Sequence, residues 1–208
     1  MSIDKKNRYL HTDNHRSFHG MLNVGLFCTS YPSSSSACVT AAQQLGRWIG
    51  SHLCRLVYGG VDCGLMYEVA NSTQEAGGEI TGVVTSALEA GGRASSLPDT
   101  IIRAESLSRR KQILMELSDI FVVLPGGFGT LDEALSVLAA AHLQEHQKQL
   151  ILFNLDGFFN PLLCLFEHLI QTGYAAEKYR DYYTAVSKWD ECEKILANHL
   201  SKKLHNER

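Results

Sequence analysis

Apolar runs alternate along the chain with segments of helical periodicity. The apolar runs predict strands at 21–28, 53–58, 79–85, 100–104, 120–124, 149–155 and 182–187. The segments between and after them predict helices at 37–52, 65–76, 106–118, 131–143, 158–172 and 190–203. Strands that alternate with helices are typical of a parallel sheet. The pattern therefore predicts the α/β class, as a Rossmann-like doubly wound parallel sheet with helices on both faces.

The length and composition suit one domain with a substantial core. The chain has 208 residues, of which 45% are hydrophobic, and its sequence shows no internal repeat. Residues 1–20 are polar and lack apolar periodicity, so we predict a flexible N-terminal tail before a single domain at 21–208. Segment 86–98, which contains Gly91 and Gly92, is predicted to be a loop.

The most distinctive stretch follows the apolar run Ile120 to Leu124. It reads Pro125-Gly126-Gly127-Phe128-Gly129-Thr130 and leads directly into a predicted helix. Glycines let a ligand approach the backbone closely, and a helix N-terminus offers free N–H groups and a positive dipole end. This combination favours an anion site, most often for phosphate. The alternative is structural, since Thr130 and Glu133 have the spacing of a capping box.

Two earlier loops also leave predicted strands at the same edge of the sheet. Ser30 lies in a hydroxyl-rich loop that either binds a second anion or caps the next helix. Gly59 and Gly60 open a glycine-containing turn after the second strand. A P-loop is excluded there because Leu65 stands where the motif requires lysine. A dinucleotide fingerprint is also absent after the first strand.

A buried cation is predicted at the start of the helix at 106–118. Arg110 shares a helical face with Leu114 and Leu117, which is the face expected to look inward. From the first turn its side chain can reach the crevice at the carboxyl edge of the sheet. The alternative is a solvated basic run with Lys111 in which the side chain extends to water.

Charge and cysteine usage narrow the classes of function. The net charge of −3 and the pI of about 6.3 do not favour nucleic acid as a partner. The six cysteines are scattered and never form C-x-x-C, so we expect reduced thiols in a cytoplasmic protein. No apolar run has the length needed to span a bilayer, and we expect no membrane partner.

The pair Arg110-Lys111 followed by Pro125-Gly-Gly-Phe-Gly-Thr-x-x-Glu133 resembles the signature of the Lonely Guy (LOG) family. These proteins are cytokinin riboside 5′-monophosphate phosphoribohydrolases, often mislabelled lysine decarboxylases. The resemblance runs from about Met21 to Ala197. It implies hydrolysis of the N-glycosidic bond of an adenine-type nucleoside 5′-monophosphate, with or without an N6-prenyl group, to free base and ribose 5-phosphate.

The resemblance also assigns roles. It implies that Arg110 and Glu133 are the catalytic pair, that the enzyme is a homodimer with a shared active site, and that it needs neither a metal nor a cofactor. The residues expected to bind substrate are Ser30, Gly59, Gly60, Lys111, Gly126, Gly127, Gly129 and Thr130. The carboxylate of Glu133 can stabilise charge on the ribose and orient or deprotonate water. Arg110 can contact substrate oxygens, orient Glu133 or assist the departing base.

Departures from the family pattern leave the base open. The family often has Trp where Ala140 stands and Gln where His142 stands, near its base and prenyl pocket. Prenylated adenine, unmodified AMP and another purine nucleotide therefore all remain as substrates. A non-catalytic module that binds a nucleotide or molybdenum cofactor is the alternative function. Lysine decarboxylation needs a Schiff-base lysine for pyridoxal phosphate, and Lys111 is the only candidate.

Overall fold

The computed structural model describes residues 9–10, 20–32 and 35–206. The strands are β1 Tyr9–Leu10, β2 Asn23–Phe27, β3 Arg55–Tyr58, β4 Glu79–Thr85, β5 Thr100–Ala104, β6 Ile120–Val123, β7 Leu150–Phe153 and β8 Tyr183–Val186. The α-helices are α1 Ser36–Ser51, α2 Gly64–Glu75, α3 Ser86–Ala90, α4 Leu107–Leu117, α5 Phe128–His142, α6 Asn160–Gln171 and α7 Trp189–Asn206. Short 3-10 turns cover Leu155–Gly157 and Glu177–Asp181.

All eight strands are parallel in one sheet of order β1-β5-β4-β3-β2-β6-β7-β8. Apolar side chains on successive positions point to opposite faces, so the central strands β2, β3, β6 and β7 contribute to two cores. One core packs under α1, α2 and α7, and the other under α4, α5 and α6. The predicted doubly wound sheet with helices on both faces is therefore confirmed.

The order of the strands creates a crevice at the centre of the sheet. The chain moves outward from β2 through β3 and β4 to β5, then returns to place β6 on the other side of β2. Two adjacent loops diverge at this point, and ligands of doubly wound proteins bind there. The amide of Thr29 donates to the carbonyl of Pro125 at 3.2 Å, which ties the loops after β2 and β6 together.

Two local features differ from the sequence prediction. Tyr9–Leu10 pairs with β5 as a short edge strand, which the polar sequence around it did not indicate; positions 1–8 and 11–19 of the predicted tail lie outside the described residues. Helix α3 occupies part of the predicted loop at 86–98, because Ala87 to Ala90 are good helix formers.

Across the residues the structure describes, no helix is both long and apolar enough to cross a bilayer.

The start of α5 also corrects the sequence analysis. The helix begins at Phe128, and its N-cap is Gly127, whose backbone is extended at φ −91° and ψ −154°. The carbonyl of Gly127 accepts the first helical hydrogen bond, from the amide of Leu131 at 3.0 Å. Thr130 is therefore inside the first turn, and the capping box with Glu133, which was the structural alternative to an anion site, does not form. This releases the Glu133 carboxyl for other contacts.

Candidate active site

A cleft of about 430 Å³ opens at the carboxyl ends of the central strands. Loops after β2, β3 and β6 form it, together with the first turns of α4 and α5. Six of the residues predicted from the sequence line this cleft: Ser30, Arg110, Gly127, Gly129, Thr130 and Glu133. The topology thus brings together side chains that lie up to about a hundred residues apart in the sequence, at the switch point of the sheet.

Arg110 is buried and held at three points. Its residue is 8% exposed, and Ser106 caps the helix one turn before it by accepting the amide of Arg109 at 3.1 Å. Its Nε donates to the carbonyl of Val83 at 2.8 Å, and its Nη2 donates to the carbonyl of Gly59 at 2.9 Å. The inward orientation predicted from helical spacing is therefore correct, and two strand ends fix the guanidinium.

The third contact of Arg110 joins it to Glu133. Nη1 lies 3.2 Å from Oε1 of Glu133, and the side chains are 10% and 8% exposed. Burial raises the pKa of Glu133 to about 7, although the Arg110 charge acts in the opposite direction. Burial is the larger effect because the cleft removes most of the water around the carboxyl. Near neutral pH this carboxyl can therefore either accept or release a proton.

The neighbouring Cys28 thiol is not a nucleophile in this environment. It is fully buried in the cleft wall, and burial together with the nearby Glu133 carboxyl raises its pKa well above the ordinary value. The nucleophilic form of cysteine is the thiolate. Of these two neighbouring groups, the Glu133 carboxyl is the one suited to proton transfer near neutral pH.

The glycine turn brings the N-terminus of α5 to the cleft wall. A Cβ on Gly126 would lie 2.1 Å from Oγ1 of Thr130, so glycine allows the turn to pack against that side chain. A Cβ on Gly127 or Gly129 would meet nothing within 4 Å, which leaves room beside the backbone. The amides of residues 128–130 precede the first intrahelical hydrogen bond. This geometry is suited to binding an anion.

Four other predicted substrate-binding residues do not line the cleft within this chain. Gly59 and Gly60 lie behind it: a Cβ on Gly59 would come within 2.0 Å of Nη2 of Arg110, and Gly60 has a φ of +67°. Gly126 contacts Thr130, as described above. The amine of Lys111 points to the outer side of α5, where it donates to Asp132 at 2.8 Å. Its direction follows from the helix, since successive residues diverge by about 100°.

The structure adds cleft residues that the sequence analysis missed. Arg93 follows the glycine pair at 91–92, and its Nη2 donates to Oγ of Ser30 at 3.1 Å. Tyr31, Leu107 and Phe128 also line the cleft and are 75%, 68% and 93% exposed. Phe128 stands inside the glycine turn, which is the one sequence signal among these four residues. Only the fold shows that their segments converge.

Two departures noted from the family pattern lie elsewhere. Ala140 borders a separate pocket between α4 and α5, and His142 stacks on Tyr179 with ring centroids 4.5 Å apart. That they border a base pocket completed by a second copy stays a prediction; within the described single chain neither lines the cleft that contains Glu133. The reason is helical geometry, because both follow Glu133 by two turns or more along α5.

Comparisons with known proteins place the chain in one family. The family described as possible lysine decarboxylase matches residues 66–196. The chain is 35% identical to the cytokinin riboside 5′-monophosphate phosphoribohydrolase of Rhodococcoides fascians, over 73% of this chain and 77% of that protein. It is 32% identical to the phosphoribohydrolase LOG5 of Arabidopsis thaliana, over 78% of this chain and 71% of the relative.

Solved structures extend the likeness of fold. The Moco carrier protein of Chlamydomonas reinhardtii superposes with a TM-score of 0.67 at 21% identity, covering 88% of this chain and 99% of that one. The molybdenum cofactor binding protein of Rippkaea orientalis gives a TM-score of 0.66 at 20% identity, covering 86% and 97%. At this level of identity the similarity concerns the arrangement of the sheet and helices, and function has to be argued from the site.

Proposed function

The chain belongs to the family of cytokinin riboside 5′-monophosphate phosphoribohydrolases, and on this basis we propose that it hydrolyses the N-glycosidic bond of a purine nucleoside 5′-monophosphate. The products are the free base and ribose 5-phosphate. The observation that carries the proposal is the buried pair of Arg110 and Glu133 facing the cleft, beside a glycine turn at a helix N-terminus.

Glu133 supplies the proton transfer in this proposal. Cleavage of the C1′–N9 bond leaves its electron pair on the base and builds positive charge on the ribose, which a carboxylate stabilises. Water then bonds to C1′ and gives one proton to Glu133, and that proton passes to the base nitrogen. The carboxyl returns to its starting form. A pKa of about 7 suits both halves of this cycle at neutral pH.

Arg110 acts mainly by orienting Glu133. The three contacts of its guanidinium leave little freedom to follow a moving substrate, but they hold the carboxylate in one position. Such fixed placement of a catalytic group lowers the barrier because no reorganisation is needed during the reaction. Its charge also favours the ionised form of the carboxyl that takes up the proton from water.

The phosphate is held at the start of α5. Gly127, Gly129 and Thr130 present backbone amides and a hydroxyl at the cleft wall, and Ser30 faces them from the loop after β2. Anchoring a remote phosphate fixes the scissile bond relative to Glu133. Close packing behind the site is the role of three glycines, where a Cβ would collide with Arg110, Val84 or Thr130: Gly59, Gly60 and Gly126. The base is an adenine-type purine, and its N6 substituent is a question for the assay below.

The assembly is proposed to be a homodimer with a shared active site, acting in the cytoplasm. The large apolar side chains of Tyr31, Leu107 and Phe128 are exposed together at the cleft mouth, as expected for a surface that a second copy covers. Lys111 and its partners on α5 also lie outside the cleft of the single chain. All six cysteines, which lie within the described residues, are free thiols, as expected in a reducing compartment.

Base release is the test. The protein is incubated with AMP, isopentenyl-AMP, GMP and CMP, and free base and ribose 5-phosphate are measured by chromatography. We expect equal amounts of both products from at least one adenine nucleotide and none from CMP. Tight nucleotide or pterin binding without product from any nucleotide would instead support a non-catalytic binding module. A decarboxylase is not favoured, because the amine of Lys111 pairs with Asp132 outside the cleft.

A further inference from the structure

We propose that Arg93 binds the 5′-phosphate of the nucleotide substrate and of the ribose 5-phosphate product, as the cation opposite the N-terminus of α5. This inference rests on the proposed function and identifies a binding residue of the same cleft. Neither the sequence motif nor the family signature includes Arg93. The argument depends on its anchored backbone, its reach to Ser30 and the balance of charge in the cleft.

The backbone of Arg93 is fixed on both sides. Its amide donates to the carbonyl of Leu88 at 3.1 Å, and its carbonyl accepts the amide of Asp62 at 3.2 Å. The next residues continue this attachment, since Val61 and Ala94 form an isolated antiparallel bridge. Arg93 is thus fastened to the loop after β3, the same loop whose Gly59 carbonyl holds Arg110. A residue anchored in this way loses little further backbone entropy when it binds a ligand.

The side chain extends from this anchor to the loop after β2. Its Nη2 lies 3.1 Å from Oγ of Ser30, and Ser30 lines the cleft together with Gly127 and Gly129. The amide of Thr29 bonds to the carbonyl of Pro125, so the Ser30 loop is attached to the glycine turn itself. The guanidinium therefore borders the same space as the first-turn amides of α5.

The charges in the cleft leave one cation for the phosphate. Among the described residues that line it, the charged side chains are Arg93, Arg110 and Glu133. Arg110 is paired with the Glu133 carboxyl and with two carbonyls. Arg93 contacts the neutral hydroxyl of Ser30, and within the described part of the chain it makes no ion pair. A phosphate dianion needs a charged partner, and the planar guanidinium suits two phosphate oxygens at once.

Binding measurements separate this role from the reaction. Ribose 5-phosphate, with adenosine as the unphosphorylated probe, is titrated into wild-type protein, Arg93→Ala and Arg93→Lys. AMP is titrated into the same three proteins with Glu133→Gln added, so that it is not hydrolysed during the measurement. Calorimetry measures the phosphorylated ligands, and ligand-observed NMR measures adenosine. We expect Arg93→Ala to weaken ribose 5-phosphate and AMP by about 10- to 100-fold while adenosine changes less than about twofold. Arg93→Lys keeps the positive charge but loses the paired donors of the planar guanidinium. Its affinity for ribose 5-phosphate and AMP should therefore lie between those of the wild type and of Arg93→Ala.

A matched control removes a charge elsewhere. Arg180 is an exposed arginine paired with Glu167 on α6. It lies in the turn before the edge strand β8 and does not line the cleft, so Arg180→Ala should bind all three ligands as the wild type does. The proposal is overturned if Arg93→Ala binds ribose 5-phosphate like the wild type, if it weakens adenosine as much as AMP, or if the wild type does not bind ribose 5-phosphate. If no base is released but ribose 5-phosphate binds and its binding depends on Arg93, the proposed hydrolase activity is rejected. The proposed phosphate site is then retained.

Discussion

Two buried arginines lie at opposite ends of the strands, and their carboxylate partners differ in exposure to solvent. Arg55, at the start of β3, is 7% exposed and donates to Glu79 and to the side chain of Asn23, at the amino edge. Arg110 is 8% exposed and contacts Glu133 at the carboxyl edge. The side chain of Glu79 is 54% exposed, whereas that of Glu133 is 8% exposed.

This difference supports the proposed roles of the two pairs, structural for Arg55 and Glu79 and catalytic for Arg110 and Glu133. The exposed carboxylate of Glu79 keeps much of its hydration, so its pair with Arg55 needs little compensation for burial. Glu133 has lost that hydration, and burial raises its pKa to about 7 in spite of Arg110. Enclosing a charge in a cleft opposes stability, and such sites are retained where the shifted proton affinity is used. The comparison therefore points to the carboxyl edge as the site of chemistry.

The largest contrast is expected in activity between the two glutamates. Glu133→Gln removes the proton acceptor and should lower kcat for base release by about 100- to 10,000-fold, the usual contribution of a general acid–base group. Glu79→Gln, a change of the same size at the other edge, should leave kcat within about twofold. Steady-state assays with AMP or isopentenyl-AMP check both. Equal activity in Glu133→Gln and Glu79→Gln would remove the basis of the comparison.

The next contrast is in folding stability between the two arginines. Arg110→Ala removes the partner of a buried carboxyl and two hydrogen bonds to buried carbonyls. The free energy of unfolding at pH 7 should therefore fall by about 3 kcal/mol, at the lower end for a broken buried pair because Glu133 can take up a proton. Arg55→Ala should lower it by about 1–2 kcal/mol, since Glu79 regains water. Urea denaturation measures both. A larger loss for Arg55→Ala than for Arg110→Ala would reverse the proposed distinction.

A smaller effect should appear within the glycine turn. Gly126→Ala places a methyl group against Oγ1, Cβ and Cγ2 of Thr130, all within 3 Å, so no rotamer of Thr130 relieves the contact. We expect the free energy of unfolding to fall by about 1–3 kcal/mol, as for overpacking of a core. Gly127→Ala has an ordinary φ and open space, and should change it by less than about 1 kcal/mol. If the two variants unfold alike, close packing does not explain Gly126.

Much of the fold could be predicted because its signals are local. The bounds of β4 and β5 match the predicted runs at 79–85 and 100–104, since apolar strands buried on both faces stand out from their neighbours. The position of Arg110 followed from the spacing of Leu114 and Leu117 on one helix. In both cases the information lies within a few turns or residues of sequence.

The site was only partly predictable because its contacts are long-range. Arg93 and Ser30 lie 63 positions apart, and no periodicity relates them; the loop after β3 and the order of the strands bring them together. Lys111 was grouped with Arg110 by sequence adjacency, yet it points to Asp132 on the other side. The pKa of Glu133 depends on burial, which appears only after the cleft has formed.

The pH dependence of base release tests the account most directly. If ionised Glu133 takes the proton from water, kcat/KM should rise about tenfold per pH unit up to about pH 7 and then level, because the raised pKa leaves the carboxyl protonated below that pH. The substrate phosphate also titrates near pH 6, so its own pKa is measured by phosphorus NMR and fitted as a separate step. Activity that stays level from pH 8 down to pH 5 after this correction would contradict the account, because it would mean that no buried carboxyl with a raised pKa controls the reaction.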